Sequence, residues 1–193
     1  MPSILNANNL AVFHIDTNSG DKPLTFATTS TTAADIGTAM AGTTPETATG
    51  FYFVQNSSTK KFTTAGTYNA ANDTFTVVSP TLLAAATSST LDISNEINDV
   101  ARDAGQGGVI QEKDNSFSIS AEGLVESIVT DTGRTLVDIA NQGDYVIVKF
   151  TLDNTTSYVG KALIDSISIT GSVDETATYS VTFAGVDSLL EAA

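Results

Sequence analysis

The chain of 193 residues has no cysteine, no tryptophan and a single histidine, and it sets 8 basic residues against 22 acidic ones for a net charge of −14. Without cysteine there is no disulfide framework, no thiolate metal site and no thiol nucleophile, which excludes a small secreted scaffold stapled by bridges and leaves the compartment open. One histidine restricts any Ser-His-Asp arrangement to His14. The shortage of Lys and Arg argues against tracking a phosphate backbone, which needs clustered cations. The absence of tryptophan, with only five tyrosines, is poor equipment for stacking on sugars. No basic, apolar N-terminal segment and no bilayer-length apolar run is present, so the expectation is a product soluble in the cell that makes it, with no membrane partner.

What is present is a sheet protein. At 41% hydrophobic the chain can bury a sizeable core, as one domain or one domain with an insertion. Its clearest element runs from Thr176 to Gly185, where Ala177, Tyr179, Val181 and Phe183 alternate with Thr176, Thr178, Ser180 and Thr182. That period of two marks a strand with one buried and one polar face. Leu10 to Asp16 is apolar at both parities, as a strand covered on both sides would be, and the turn residues Asn18 to Asp21 lead to Leu24 to Thr29 as its expected hairpin partner.

Ala27-Thr-Thr-Ser-Thr31 is nearly repeated by Ala86-Thr-Ser-Ser-Thr90, so the intervening residues read as an insertion whose ends meet. Within it a short helix is expected around Ala33 to Met40, and strands at Phe51 to Gln55, Lys61 to Tyr68 and Thr74 to Val78. After the strand Thr90 to Ser94, the pattern dissolves from Glu96 to Asp114 into polar residues and glycines, which predicts a long loop of the kind that is functional or ordered by a partner. Ser116 to Glu122 alternates again. Asp131 or Thr132 is the expected N-cap of a helix through Asn141, with Gly143 as its stop. Arg134 and Asp138 stand four apart and would pair weakly there. Tyr145 to Leu152 reads as a central strand followed by a turn at 153–156. In Tyr158 to Thr170 the apolar parity changes between Ile164 and Ile167, which predicts a bulge near Asp165. Val173 to Glu175 makes the last turn, and Leu189 to Ala193 is expected to be a tail.

No catalytic constellation survives inspection: there is no Gly-x-Ser-x-Gly elbow, no His-Glu-x-x-His and no phosphate loop. His14 lies on the parity of Leu10 and Val12 without a ligand-spaced neighbour, so a packed or interfacial imidazole is expected. Asp92, Ser94, Glu96 and Asn98, ending at Asp103, mimic the odd positions of an EF-hand loop, but Ile97 stands where glycine is required and the flanks are not helical. Gly105 to Gly108 reads as a hinge rather than a phosphate cradle. Catalytic, cofactor-binding and metal-binding residues are therefore expected to be absent.

From Thr90 to Leu189 the order of features resembles the major tail tube protein of long-tailed (siphovirus-type) bacteriophages. The resemblance rests on Leu91-Asp-Ile-Ser-Asn-Glu-Ile97, Asp103-Ala-Gly105, Asn115-Ser-Phe-Ser-Ile-Ser-Ala-Glu-Gly-Leu124, the short helix around Leu136 to Ala140, and two longer stretches. These are Tyr158-Val-Gly-Lys-Ala-Leu-Ile-Asp-Ser-Ile-Ser-Ile169 and Glu175-Thr-Ala-Thr-Tyr-Ser-Val-Thr-Phe-Ala-Gly185, which carry most of the specificity. It implies a mainly β fold: a β-sandwich or half-barrel with one flanking helix and a long loop, here with an inserted, small, mostly β subdomain. Residues 1–31 and 87–193 would form the tail-tube domain and residues 32–86 the insertion, facing outward.

The implied role is that of a structural virion protein, made in the host cytoplasm and located in the tail. It would self-assemble into stacked rings, hexameric in that family, with no cofactor. Its partners would be itself, through the loop Ile97 to Asn115 reaching the neighbouring ring, and other tail proteins. DNA would pass through an acidic lumen without being bound. The alternatives are the tube of a contractile tail or secretion-type injection system, which would need a sheath partner, and a monomeric β-sandwich that binds glycans or surfaces.

Overall fold

The computed structural model describes residues 11–43, 49–83, 86–100, 109–124, 135–152, 156–171 and 176–193, with side chains except at 86–87, 95–100 and 109–115. The strands are β1 (Ala11–Asp16), β2 (Leu24–Thr28), β3 (Gly50–Asn56), β4 (Phe62–Asn69), β5 (Thr74–Val77), β6 (Thr81–Leu82), β7 (Ala86–Val100), β8 (Val109–Leu124), β9 (Tyr145–Thr151), β10 (Ser157–Thr170), β11 (Thr178–Gly185) and β12 (Leu190–Glu191). Two helices, α1 (Ala33–Ala41) and α2 (Leu136–Gln142), complete the described elements. The protein is mainly β, as expected. Sheet A has the order β6-β1-β9-β10-β11-β8-β7, with β12 also pairing with β10, and sheet B has the order β2-β3-β4-β5.

Parity along each strand builds a sandwich with a helix on each outer side. In β9, Val146, Val148 and Phe150 join a core with Leu136 and Ile139 of α2, while Ile147, at the opposite parity, joins Ile15, Val159, Phe53 and Ala65 between the two sheets. On the far side of sheet B, Tyr52, Val54 and Tyr68 pack with Ile36 and Met40 of α1. Each fully buried side chain of this size contributes about 1.5–3 kcal/mol, so each layer has its own apolar support.

Sheet A is strongly curled. Its edge strands, β6 and β7, are separated along the chain only by residues 83–85. Four Cα steps from Leu82 to Ala86 span at most about 14 Å, whereas six strand gaps in a flat sheet would put the edges about 29 Å apart. The two edges therefore approach each other at this end, which gives the half-barrel without closing it among the described residues. Leu83, whose N–H donates to the Val12 carbonyl at 3.0 Å, is buried in the same core as Val12.

Several expectations are met in detail. β11 buries Tyr179, Val181 and Phe183, β9 is central between β1 and β10, and the β10–β11 register shifts between Ile164 and Ser166, which places the bulge at Asp165. α1 and the three strands β3 to β5 fall where they were expected. Gly143 ends α2 at φ 68°, in the left-handed region that favours glycine.

Four expectations are corrected. β1 does not form a hairpin with β2: it lies between β6 and β9, both antiparallel to it, and β2 runs parallel to β3 in sheet B. A strand apolar on both faces belongs inside a sheet, and β9 takes the place a hairpin partner would have had. The loop expected from Ile97 to Asn115 is largely strand, since β7 continues to Val100 and β8 begins at Val109. The N-cap of α2 is Thr135 rather than Asp131 or Thr132. Its hydroxyl accepts from the Asp138 N–H at 3.1 Å, and the Asp138 carboxylate accepts from the Thr135 N–H at 3.0 Å, a reciprocal capping box. The C-terminal tail contains β12, which takes the same edge of β10 as β11 but further along, at Tyr158 and Val159. The turns at 153–155 and 173–175, Arg134 and the glycines 105–108 lie outside the described residues.

Candidate assembly surface

One face of sheet A divides into two halves of different chemistry. Where sheet B covers it, along β1, β9 and the first half of β10, it presents Ile15, Ile147 and Val159. Beyond the Asp165 bulge the same face is left bare, and its residues become hydroxylated. β10 presents Ser166, Ser168 and Thr170, and β11 presents Thr178, Ser180 and Thr182. β8 presents Ser116, Ser118, Ser120 and Glu122, and β7 presents Ser88, Thr90, Asp92 and Ser94.

The strand register lines these residues up across four strands. One row is Ser166, Thr182, Ser120, Thr90, and the next is Ser168, Ser180, Glu122, Ser88. Ser120 and Thr182 share a hydrogen bond between hydroxyls at 3.3 Å, and the Ser88 hydroxyl donates to Glu122 Oε2 at 3.4 Å. Cross-strand hydroxyl pairs of this kind stabilise a sheet modestly and keep a polar face flat. The opposite parity of β8 and β11, with Ile119, Ala121, Val181 and Phe183, is buried and holds the wall in place, while Ile93 of β7 and Ile169 of β10 at that parity stand exposed.

The cations lie elsewhere. The Lys161 ammonium, 5% exposed, sits between the sheets, donating to Thr25 Oγ1 at 2.6 Å and pairing with Asp187 at 3.2 Å. Lys22 pairs with Asp187 at 2.6 Å, and Lys61 with Glu191 at 2.6 Å. Burial pushes the Lys161 ammonium below its ordinary range, only partly opposed by Asp187. For Asp187, partial burial pulls the carboxyl upward, and the hydrogen bonds from Lys22 and Lys161 outweigh it and hold the group below its usual value.

The end of sheet A next to the wall projects beyond the rest. β8 pairs with β11 only from Ser118 to Leu124, so residues 109–117 have β7 as their only paired neighbour among the described strands. At ~3.3 Å per residue this two-stranded arm is about 30 Å long, and an isolated ribbon of two strands is marginal in water.

His14 is buried in β1, opposite Val148 and Thr81. Asp92 and Ser94 lie in an extended strand, and Glu96 and Asn98 continue its main chain, so the sharp loop that EF-hand ligation requires does not form there. Asp103 lies outside the described residues. Among the described residues no group of three or more His, Cys, Asp or Glu is placed to hold a metal ion, and no helix is long and apolar enough to cross a membrane. The wall was only partly legible in the sequence: the polar parity of β11 was visible, but its continuation over β8, β7 and β10 depends on register between distant segments.

No curated protein matches the chain. Among solved structures it is similar to a chain in the tail of an empty gene transfer agent particle of C6 symmetry, at 21% identity over 59% of this chain and 87% of that one, with a TM-score of 0.49. It is also similar to a chain in the virion of a native gene transfer agent particle, at 20% identity over 62% of this chain and 89% of that one, with a TM-score of 0.46. The family described as phage tail tube protein matches residues 55–189, from β3 through β11 and so including all four strands of the hydroxyl wall. The chain belongs to the phage tail tube protein family and is a structural, non-enzymatic subunit of a virion tail.

Proposed function

We propose that the subunits close into rings, six to a ring as the family resemblance implies, and that the rings stack into a tube whose channel is lined by the hydroxyl wall of β10, β11, β8 and β7. The observation that carries this reading is the composition of the wall: hydroxyls at nearly every position, carboxylates at Asp92 and Glu122, and none of the lysines whose side chains are described. DNA is held by cations that displace its counterions. A surface of hydroxyls and carboxylates offers no such exchange, so a duplex leaving the particle slides past hydrated hydroxyls and is repelled weakly at the two acids. The lumen is acidic in sign and mostly neutral in area.

Two further features support assembly. The 15-residue β7 is the edge of sheet A, and a long bare edge invites pairing unless another chain covers it. The arm of β7 and β8 extends past the sheet and gains support by reaching the next ring. Sheet B and α1, which hold most of the residues read as an insertion (32–86) while β6 and the start of β7 stay in sheet A, face outward, where they cannot obstruct the channel. The subunit's further partners are other tail proteins.

The absence of cysteine makes the test direct. In assembled tubes, a cysteine introduced as Ser180→Cys should react with a small maleimide but be protected from one carried on a polymer too wide for the channel. A cysteine introduced as Thr38→Cys, on the exposed side of α1, should react with both. Equal reaction of Ser180→Cys with the wide reagent along intact tubes overturns the assignment of the wall to the lumen.

A further inference from the structure

Where the two sheets end side by side, a groove of about 230 Å³ opens between them, lined by Phe62, Val77, Val78, Pro80, Ala192 and Lys149 among others. It is mainly apolar, with Thr63, Thr64 and Ser79 also on its lining, and Val77 at its side is 44% exposed. Lys22, Lys61 and Lys161 are engaged by carboxylates. Lys149 instead lies 5.6 Å from the centre of the Phe13 ring, and among the described residues no carboxylate pairs with it. In a chain of net charge −14, an uncompensated ammonium at the rim of an apolar groove is a specific docking feature.

The arm is a segment of complementary character. The arm, residues 95–100 and 109–115, contains Glu96, Asp99, Glu112 and Asp114 against the single Lys113, interspersed with Ile97, Val100, Val109 and Ile110. It is acidic and apolar together, as the groove is cationic and apolar together. The arm stays clear of its own groove: no β7 or β8 residue lines it, and Asn95 stands nine residues along extended β7 from Ala86, about 30 Å further out.

We infer that the arm of one subunit docks in the inter-sheet groove of a second copy, with Lys149 facing the arm's carboxylates. This inference rests on the tube reading above and names the surface that receives the arm. The contact is heterologous, the acidic arm of one copy meeting the groove of the next, and such a contact propagates along a stack instead of closing a dimer.

The test uses the purified full-length chain, with tube length read by negative-stain electron microscopy and folding checked by circular dichroism and thermal melting. Lys149→Glu should remain folded and associate at least about tenfold more weakly, the loss that charge reversal at a desolvated contact produces. Lys149→Gln, which keeps the stem against Phe13, should give a smaller loss. Glu112→Lys with Asp114→Lys should also impair growth, and combining this pair with Lys149→Glu should restore it. Normal tubes from Lys149→Glu, or no restoration by the combination, overturn the inference. Deleting residues 102–113 separates the two levels. If that deletion blocks growth while Lys149→Glu does not, the arm acts at another surface and the tube reading stands. If the deletion also leaves growth unimpaired, the arm has no role in stacking.

Discussion

The two halves of one face of sheet A teach how a single sheet serves both as core and as surface. Under sheet B the face is apolar, and its one buried charge, Lys161, is held by Thr25 and Asp187. Past the Asp165 bulge the same face is hydroxylated and lacks a described cation. β10 is continuous across the boundary and the opposite face stays mainly apolar on both sides of it, so the fold does not require the change. What differs is the neighbour: sheet B on one side, and on the other whatever the assembled tube presents.

The comparison breaks most completely if the support common to both halves is removed. The Phe117 ring, on the wall strand β8, occupies the space that a Cβ on Gly160 or Gly185 would need, so it ties that wall strand to the parts of β10 and β11 on the covered side of the bulge. Phe117→Ala should cost about 3–5 kcal/mol in urea unfolding, because it removes a large buried ring and leaves a cavity. Gly185→Ala should destabilise as well, since the added methyl meets ring atoms packed in the core. An effect below 1 kcal/mol for Phe117→Ala would mean that the two halves are supported independently.

The next effect is confined to the covered half. Removing only the acid, as Asp187→Ala, strands a buried ammonium. The cost should be about 1–2 kcal/mol, less than the 3–5 of a fully buried pair because Asp187 is 39% exposed and solvent screens it. Lys161→Met removes the charge along with its desolvation penalty and should cost less than Asp187→Ala. The pH dependence sharpens this. Asp187 is held below its ordinary value, so its contribution is present above an unfolded value near 3.8 and is lost as the pH falls through its folded value. Lys161 is pushed below 10.5, so between its folded value and 10.5 the unfolded chain binds the extra proton and this site's contribution grows as pH rises. Stability curves of Asp187→Ala should therefore be flatter at the acid end and those of Lys161→Met flatter at the alkaline end. Unchanged curves in both variants would remove the seam from the account of stability.

How much of this was legible follows from what each element leans on. β11 could be read from its own residues because one face is buried and the other is not. The bulge at Asp165 showed as a change of parity between Ile164 and Ile167. The partner of β2 could not be read, because the choice between pairing with β1 and pairing with β3 is made by β9, more than a hundred residues away. The outer ends of β7 and β8 were hidden because a ribbon that leaves the core has no buried face, and apolar alternation is a signature of burial rather than of strand pairing. Thr135 and Asp138 carry a capping signal in the Thr-x-x-acid spacing, but Asp131 and Thr132 offer competing cap residues one turn earlier, and the sequence alone does not rank them. The wall was visible one strand at a time and the groove beside Lys149 not at all, since both are made by segments that meet only in the fold.

The smallest effect on the subunit should be the most telling about the bare half. Ser168→Lys sits at an exposed position on β10, in the row with Ser180, and should change unfolding free energy by less than about 0.5 kcal/mol because nothing packs on it. In the assembled tube the same change repeats in every subunit and adds a ladder of ammonium groups to a wall of hydroxyls and a few carboxylates. Each engaged phosphate then releases counterions, so DNA release from such particles should slow at low salt and recover as salt rises. Ser168→Gln, of similar length and no charge, should release DNA as the unaltered protein does. If Ser168→Lys particles release DNA at the unaltered rate at every salt concentration, this face does not meet the duplex, and its hydroxyls face another subunit instead.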